Sequence, residues 1–495
     1  MNRSLRRISL AAGFSLLCCA MLTGCGRSEA EFRLDLIEAK KCKVSPQQQQ
    51  QIADILRAMF GTPDDPFVLP QTGLDLQKIQ IASGPVHRDA ESGPRGLFRE
   101  HCMHCHGING DGAGPTAAFL NPYPRDYRRG WFKFKSTRRE DEPTTENLLR
   151  IVTGGIQGTA MPAFRLYPDV DRLALVEYVK YLSMRGQMEL ALDRWVANNT
   201  TKPTDAVPSD PNSLLNLLGP IAEQWKEPVQ VAVDDRPEDM KFDKITDVIA
   251  RQRAEDRSIA IGRAMFLNEK PGEMKYGSET IKYMGAGCFK CHGPTQLGDG
   301  QTTDYDDWTK EVWDKVTWKY GVSLTDKPPD HPLPSGHTPP VLESELPSLG
   351  ALPERHIIPR NLRLGVYHGG RRPLDIYYRV HEGIKGAPMP ANTDSLLTAE
   401  EKTQLQKVMA DANAKAKKIP ELQPDDDDTD EQAAIKRHKK EAYIAKIVDP
   451  VREKILAPRI WHLVDFVLSL PYQPGGEMGV DYSLPDTAAI NLPSR

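Results

Sequence analysis

Two C-x-x-C-H pentapeptides stand out among the residues whose types and spacing could do chemistry. One lies in HCMHCHGINGDGAGP at 101–115, and the other opens CFKCHGPTQLGDG at 288–300. Two thiols one helical turn apart can add to the two vinyl groups of a porphyrin, and the adjacent histidine is then carried beneath the iron. The spacing therefore predicts two covalent haem c attachment sites. Their residues are Cys102, Cys105 and His106 in the first copy, and Cys288, Cys291 and His292 in the second.

Three other uses of paired cysteines compete with this prediction. A zinc site would have to unite two pairs that are a whole domain apart in sequence, and it would leave the histidine after each pair unused. A thioredoxin-like redox motif needs a different surrounding βαβ pattern, and a disulfide within either helical pair would be strained. The histidine directly after both pairs favours haem. His101 and His104 fall outside that position, so we expect them at the surface or the haem edge.

A haem iron has a sixth coordination position, and two methionines are candidates for it. Met161 and Met389 stand in GIQGTAMPA and GIKGAPMPA, where glycine and proline predict an extended loop. Most methionines only pack, but here the two occupy matching positions in both copies. A thioether stabilises ferrous iron and raises its reduction potential. Two filled His/Met sites would suit electron transfer and disfavour the binding of oxygen or peroxide.

The similarity between the two halves extends well beyond the cysteines. YPRDYRRGWF at 123 matches IPRNLRLGVY at 358, and each half ends in an apolar helix that contains aromatic residues. In the glycine-rich tails, we align the two Gly-Asp-Gly triplets, which gives the second copy two extra residues before its triplet. Four matches in the same order indicate a tandem duplication with insertions in the second copy.

With these motifs, the chain resembles the class I cytochrome c family in its bacterial di-haem form. The matching segments are CMHCHG, GDGAGP and AMPAF in the first copy, and CFKCHG, GDG and PMPA in the second. The resemblance implies an all-α fold of two tandem cytochrome c domains, each with three to five helices around its haem. It covers roughly 92–185, 258–300, 356–391 and 458–470.

The resemblance also implies how the proximal histidine is held. In the family, a proline after the motif commonly offers its carbonyl to that histidine, and Pro115 is similar. The second copy has no equivalent proline, so the support of His292 is open. Arg125 and Arg360 occupy matched positions. They either neutralise haem propionates by bidentate hydrogen bonds or remain solvated at the surface.

The N-terminus predicts export. Arg3, Arg6 and Arg7 precede the short apolar run ISLAAGFSLLCCAMLTG, as in a secretory signal. The run ends in LTGC, which resembles the lipobox of bacterial lipoproteins and would make Cys25 the lipid-modified first residue. The alternative is an ordinary signal cleaved after Ala30. In either case we expect a periplasmic protein, and in the first case one tethered to a membrane by lipid.

Length and composition bound the remaining possibilities. A chain of 495 residues is longer than one hydrophobic core usually organises, so we expect two or more domains. A hydrophobic content of 39% is typical of a soluble protein. The net charge of −4 and the lack of a basic stripe argue against nucleic acid as a partner. Cys42 could be a free thiol, an intermolecular bridge or a buried side chain.

These observations divide the chain into segments. We expect a signal at 1–24, an N-terminal extension at 25–84, a first cytochrome c domain at 85–190, a linker at 191–254, a second domain at 255–475 with insertions at 301–358 and 394–450, and a tail at 476–495.

The combined hypothesis is an exported di-haem cytochrome that passes single electrons between redox protein partners and has no catalytic residues of its own. One alternative is a di-haem peroxidase, in which one iron has a displaceable sixth ligand. Another is the cytochrome subunit of a dehydrogenase or oxidase complex, with the insertions as docking surfaces.

Overall fold

The computed structural model describes residues 29–87, 94–231, 236–305, 310, 312–313, 341–425 and 428–473. Across these residues the chain is almost entirely helical, which confirms the predicted all-α class. The described α-helices are α1 Leu36–Lys41, α2 Pro46–Phe60, α3 Leu76–Ala82, α4 Leu97–His101, α5 Met103–His106, α6 Thr145–Gly154, α7 Asp169–Asn199, α8 Pro211–Lys226, α9 Val248–Leu267, α10 Phe289–His292, α11 Pro373–Glu382, α12 Ala399–Ala416 and α13 Asp430–Ser469.

The other regular elements are short. A β-hairpin, which the sequence did not predict, lies between α9 and α10 and pairs β1 Gly272–Tyr276 with β2 Glu279–Tyr283 in antiparallel register. The described 3-10 helices are Pro70–Thr72, Ala117–Phe119, Glu238–Met240, Phe242–Lys244, Glu343–Leu349, Leu362–Leu364, Pro420–Leu422 and Leu470–Tyr472.

The N-terminal extension belongs to the first hydrophobic core. Helix α2 begins with a capping box, in which the side chains of Ser45 and Gln48 satisfy each other's backbone N–H groups. Its apolar face, with α3, packs on the long helix α7 in one cluster with residues of the first C-x-x-C-H segment. The hydroxyl of Tyr181 on α7 donates to the carbonyl of Phe60. The backbone N–H of Ala30 donates to Asp64 Oδ2 at 2.8 Å, so the extension is tied down almost from its first described residue.

A second hydrophobic core surrounds α9, α11 and the C-terminal half of α13. Helices α9 and α13 approach closely at Gly262, where a Cβ would come within 1.9 Å of the carbonyl oxygen of His462. Segment 430–450, which we assigned to an insertion, is the first half of the 40-residue helix α13. The predicted insertion and the predicted second domain therefore share one continuous helix.

Two further sequence predictions concern the linker and the chain ends. Helix α8 begins at Pro211 inside the predicted linker and packs against both α7 and α13. The predicted signal with Cys25, most of the 301–358 insertion and all of the tail lie outside the described residues. Within the part of the chain that is described, no helix is both long and apolar enough to cross a membrane.

Candidate haem c sites

The first C-x-x-C-H motif folds as a single helical turn. Cys102 precedes α5, and Cys105 lies three residues later, which places the two thiols on one face. Neither cysteine forms a disulfide, and both are partly accessible. Burial of its sulfur raises the pKa of Cys102 to about 12, with a smaller contribution from Cys105. The thiols are thus a free pair one turn apart, as thioether attachment requires.

The glycine-rich tail folds back beneath this turn. The N–H of Gly112 donates to the carbonyl of His106 at 2.9 Å, and the N–H of Gly114 donates to that of Cys105 at 3.0 Å. A Cβ on Gly114 would come within 2.5 Å of the Met103 carbonyl oxygen. Glycine is needed because the two backbones touch.

His106 is buried and held in one orientation. Its Nδ1–H donates to the carbonyl oxygen of Arg125 at 3.1 Å, which leaves Nε2 for a metal. The ring stacks on Tyr127 with 4.6 Å between centroids. Burial lowers the pKa of His106 to about 4, so its imidazole is neutral, as a ligand must be.

The carbonyl that supports His106 differs from the one implied by the family resemblance. Pro115 is exposed, and its neighbours hydrogen-bond to carbonyls of the Cys105 turn, which holds it on the outer side of α5. The prediction of Pro115 was therefore wrong. Arg125 supplies the carbonyl from the matched PRD segment instead.

The second motif repeats this backbone arrangement. Nδ1 of His292 lies 3.2 Å from the carbonyl oxygen of Arg360. Burial lowers the pKa of His292 as well. The N–H of Gly298 donates to the carbonyl of His292 at 2.9 Å, and a Cβ on Gly300 would come within 2.6 Å of the Lys290 carbonyl oxygen. The open question of how His292 is supported is answered by the PRN segment.

The geometry also corrects the alignment of the two tails. Gly298 and Gly300 fill the places of Gly112 and Gly114, so no residues are inserted between the motif and these glycines. Gln296 takes the place of a glycine, with φ of 62°. The alignment of the two Gly-Asp-Gly triplets was therefore wrong. It paired glycine with glycine, but in the second copy Gln296 adopts the left-handed backbone conformation that a glycine has in the first copy.

The two methionine loops are also alike. The N–H of Ile156 donates to the carbonyl of Met161 at 3.2 Å, and that of Ile384 donates to Met389 at 3.0 Å. Both methionines are half-buried. Met161 packs against the same hydrophobic cluster as Cys102. Each loop is thus a closed turn that presents one thioether.

The remaining candidates lie around the first site. The ring of His101 packs against Tyr167 at 4.9 Å, while His104 is exposed. Cys42 is a free thiol whose pKa is raised to about 12 by burial and by the nearby Glu38. Tyr127 was missed by the sequence analysis, although its position inside a repeated segment was a signal.

Comparison with known proteins supports this chemistry for the first copy. Residues 89–179 match the family model described as cytochrome C oxidase, cbb3-type, subunit III. This segment is similar to a cytochrome c domain. The similarity implies a haem c with its iron and a role in electron transfer.

No curated protein matches. A solved structure, the Kuenenia stuttgartiensis reducing HAO-like protein complex Kustc0457/Kustc0458, is 17% identical, with 76% of this chain and 94% of that chain covered. Its TM-score is 0.37, which does not establish a shared fold.

The donor set fits a haem c and not the competing groups. Each copy offers two free thiols on one turn and a neutral imidazole whose Nε2 is available. None of the four motif cysteines forms a disulfide. Among the described residues, no three histidine, cysteine, aspartate or glutamate side chains converge as ligands of one metal ion, so these cysteines do not form a ready-made zinc site.

Proposed function

We propose that this protein is a di-haem c-type cytochrome that transfers single electrons between redox protein partners. The observation that carries the proposal is the repeated backbone geometry of the two C-x-x-C-H motifs. In both copies a PR segment supports the histidine, and glycines hold the tail against the motif turn. Such duplicated detail is expected where both copies hold the same group.

In this proposal each copy contributes the same four side chains. Cys102 and Cys105 anchor one haem and Cys288 and Cys291 the other, while His106, His292, Met161 and Met389 are axial ligands. Haem c, when bound, supplies an iron that cycles between the ferrous and ferric states. The protein holds each imidazole neutral and oriented, and each thioether on a closed loop. Filled axial positions favour electron transfer over peroxide chemistry.

Haem counting tests the proposal directly. We expect a pyridine haemochrome assay on the full chain, expressed with export and haem attachment, to give two haems per polypeptide. Replacing Cys102 and Cys105 by Ser, or Cys288 and Cys291 by Ser, should leave one. The matched control is Cys42→Ser, a free cysteine outside both motifs, which should leave two. One haem in the unchanged protein would contradict the proposal.

The axial methionines give a second test. Met161→Ala and Met389→Ala should each retain both haems, open one iron to imidazole or cyanide, and lower its midpoint potential. The control is Met409→Ala on the exposed surface of α12. Ligand-resistant iron and unchanged potentials in both variants would show that other side chains ligate. Peroxide turnover by the unchanged protein would favour the peroxidase alternative.

We also propose that the protein is exported to the periplasm and anchored by a lipid on Cys25. The support is the LTGC sequence after a short apolar run. Labelling with a radioactive fatty acid should mark the unchanged chain and not Cys25→Ser. If Cys25→Ser stays in the membrane fraction, or the unchanged chain takes no label, the lipid anchor is wrong.

A further inference from the structure

Arg125 and Arg360 occupy equivalent positions in the two copies, and each reaches into the other one. The backbone carbonyl of each arginine accepts a hydrogen bond from the histidine of its own motif. The side chain of Arg125 extends to the Met389 loop, where a Cβ on Gly386 would lie 2.9 Å from its Nη1. The side chain of Arg360 extends to the Met161 loop, where a Cβ on Gly158 would lie 2.2 Å from its Nη2.

The two glycines make this approach possible. Gly158 and Gly386 are matched residues of the two methionine loops, with φ of 77° and 75°. Because neither carries a side chain, a guanidinium can lie directly on the backbone of the loop. The contact is therefore reciprocal: each copy provides a bare loop and receives an arginine.

Other contacts fix the two copies in this arrangement. Nη1 of Arg150 on α6 lies 2.6 Å from Oδ1 of Asp375 on α11, and that carboxylate is almost fully buried. Nη1 of Arg139 donates to the carbonyl of Met389 at 3.2 Å. Nε2 of His368 lies 3.3 Å from the carbonyl oxygen of Gly158. Both methionine loops are thus held by side chains from the opposite copy.

We infer that Arg125 and Arg360 are positioning residues that couple the two haem sites crosswise, each orienting the histidine of its own site while its charge acts on the methionine side of the other site. The inference rests on the proposed function, since it requires a haem in each copy. A fixed positive charge near an iron disfavours the ferric state, which carries one more positive charge. Each arginine should therefore raise the potential of the haem in the opposite copy.

The crosswise arrangement makes an experiment decisive. In a redox titration of the full di-haem chain, Arg360→Gln should lower the potential of the first haem, and Arg125→Gln that of the second. We expect a change of about tenfold in the reduction equilibrium, which is about 59 mV for one electron. Met161→Ala and Met389→Ala identify which potential belongs to which haem.

Several controls separate charge from structure. Arg125→Lys and Arg360→Lys keep the positive charge, so both haem potentials should stay close to those of the unchanged chain. Arg257→Gln removes an arginine of the second copy that pairs with Glu279 at the surface, and should leave both potentials unchanged. A shift confined to the haem of the arginine's own copy, as propionate pairing would give, overturns the inference, as does no shift at all. One haem per unchanged chain would overturn the proposed function and the coupling with it.

Discussion

The two motif regions share a backbone but differ in what surrounds the histidine. In the first, His106 stacks on Tyr127, which itself stacks on Phe132 at 5.9 Å. In the second, Leu362 takes the place of Tyr127, and the ring of Phe266 is tilted against that of His292 with 6.1 Å between centroids. Cys291 is exposed, whereas Cys105 is partly covered.

Features shared by both copies are those that haem attachment needs, whereas features found in one copy can tune the reduction potential of its haem. The glycine contacts and the PR carbonyl recur in both copies, so they belong to holding the motif. Among the residues that the structure describes, a ring stacked on the motif histidine is found at the first site and not at the second. A drier, more apolar shell disfavours the added charge of ferric iron, so we expect the first haem to have the higher potential.

The largest expected effect comes from the shared backbone. Gly114→Ala and Gly300→Ala each place a methyl group within 2.6 Å or less of a motif carbonyl oxygen. The loop must shift, so we expect haem attachment at the altered copy to fall severalfold and stability to fall by about 2–4 kcal/mol. Haemochrome counts and thermal unfolding measure this.

The control for the glycine pair is Gly154→Ala in the last turn of α6, where an added Cβ meets nothing within 4 Å. It should leave both haems in place. Retention of two haems and full stability in Gly114→Ala would mean that the tail does not support the motif.

The next effect concerns pH and only the second copy. His381 is buried between Glu382 and Glu453, at 2.7 and 2.5 Å, whereas the first copy has Thr153 at that position. Burial lowers the pKa of His381, but the two carboxylates outweigh it and raise the value to about 9. Because the folded state binds the proton more tightly, the stabilisation is complete below about pH 6.5 and is lost as the pH rises through 9.

From that rise in pKa we expect the free energy of unfolding to fall by about 3 kcal/mol as the proton on His381 is lost. Denaturant unfolding at pH 6 and pH 10 should show this loss of stability in the unchanged chain and a much smaller loss of stability in His381→Gln. Thr153→Ser is the matched control in the first copy and should keep the full pH dependence. Equal pH dependence in His381→Gln would assign it to other groups.

The smallest expected effect tests the aromatic stack itself. Tyr127→Leu gives the first site the residue of the second and removes a stacking partner, at a cost of about 1–3 kcal/mol. It should also lower the first potential toward the second. Leu362→Met, a swap of similar volume, should change neither potential appreciably. A first potential that stays unchanged in Tyr127→Leu would show that the stack does not set it.

The sequence predicted the all-α class and the repeat because both depend on local patterns. The motif spacing, the PR segments and the methionine loops can be recognised in the sequence, since each needs particular residue types at fixed distances along the chain. The role of the Arg125 carbonyl could not be predicted in this way, because any residue supplies a carbonyl and only the path of the chain decides which one reaches His106.

Other features depend on tertiary structure. A periodic apolar pattern can indicate that a segment is helical but not what the helix packs against, and so the core that segment 25–84 shares with α7 was missed. The continuity of α13 was missed because a change from charged to apolar composition looks like a boundary. Packing along one side of a long helix can change while the helix itself continues.

The fixed start of the N-terminal extension has a consequence for the proposed lipid anchor. From Cys25 to Ala30, which is already bound to Asp64, the chain has only five residues of reach. Fully extended, these span roughly 18 Å. If the proposed lipid anchor on Cys25 is present, it would keep the segment that begins at Ala30 beside the bilayer, and under the proposed function a redox partner would then have to meet the protein at the membrane surface.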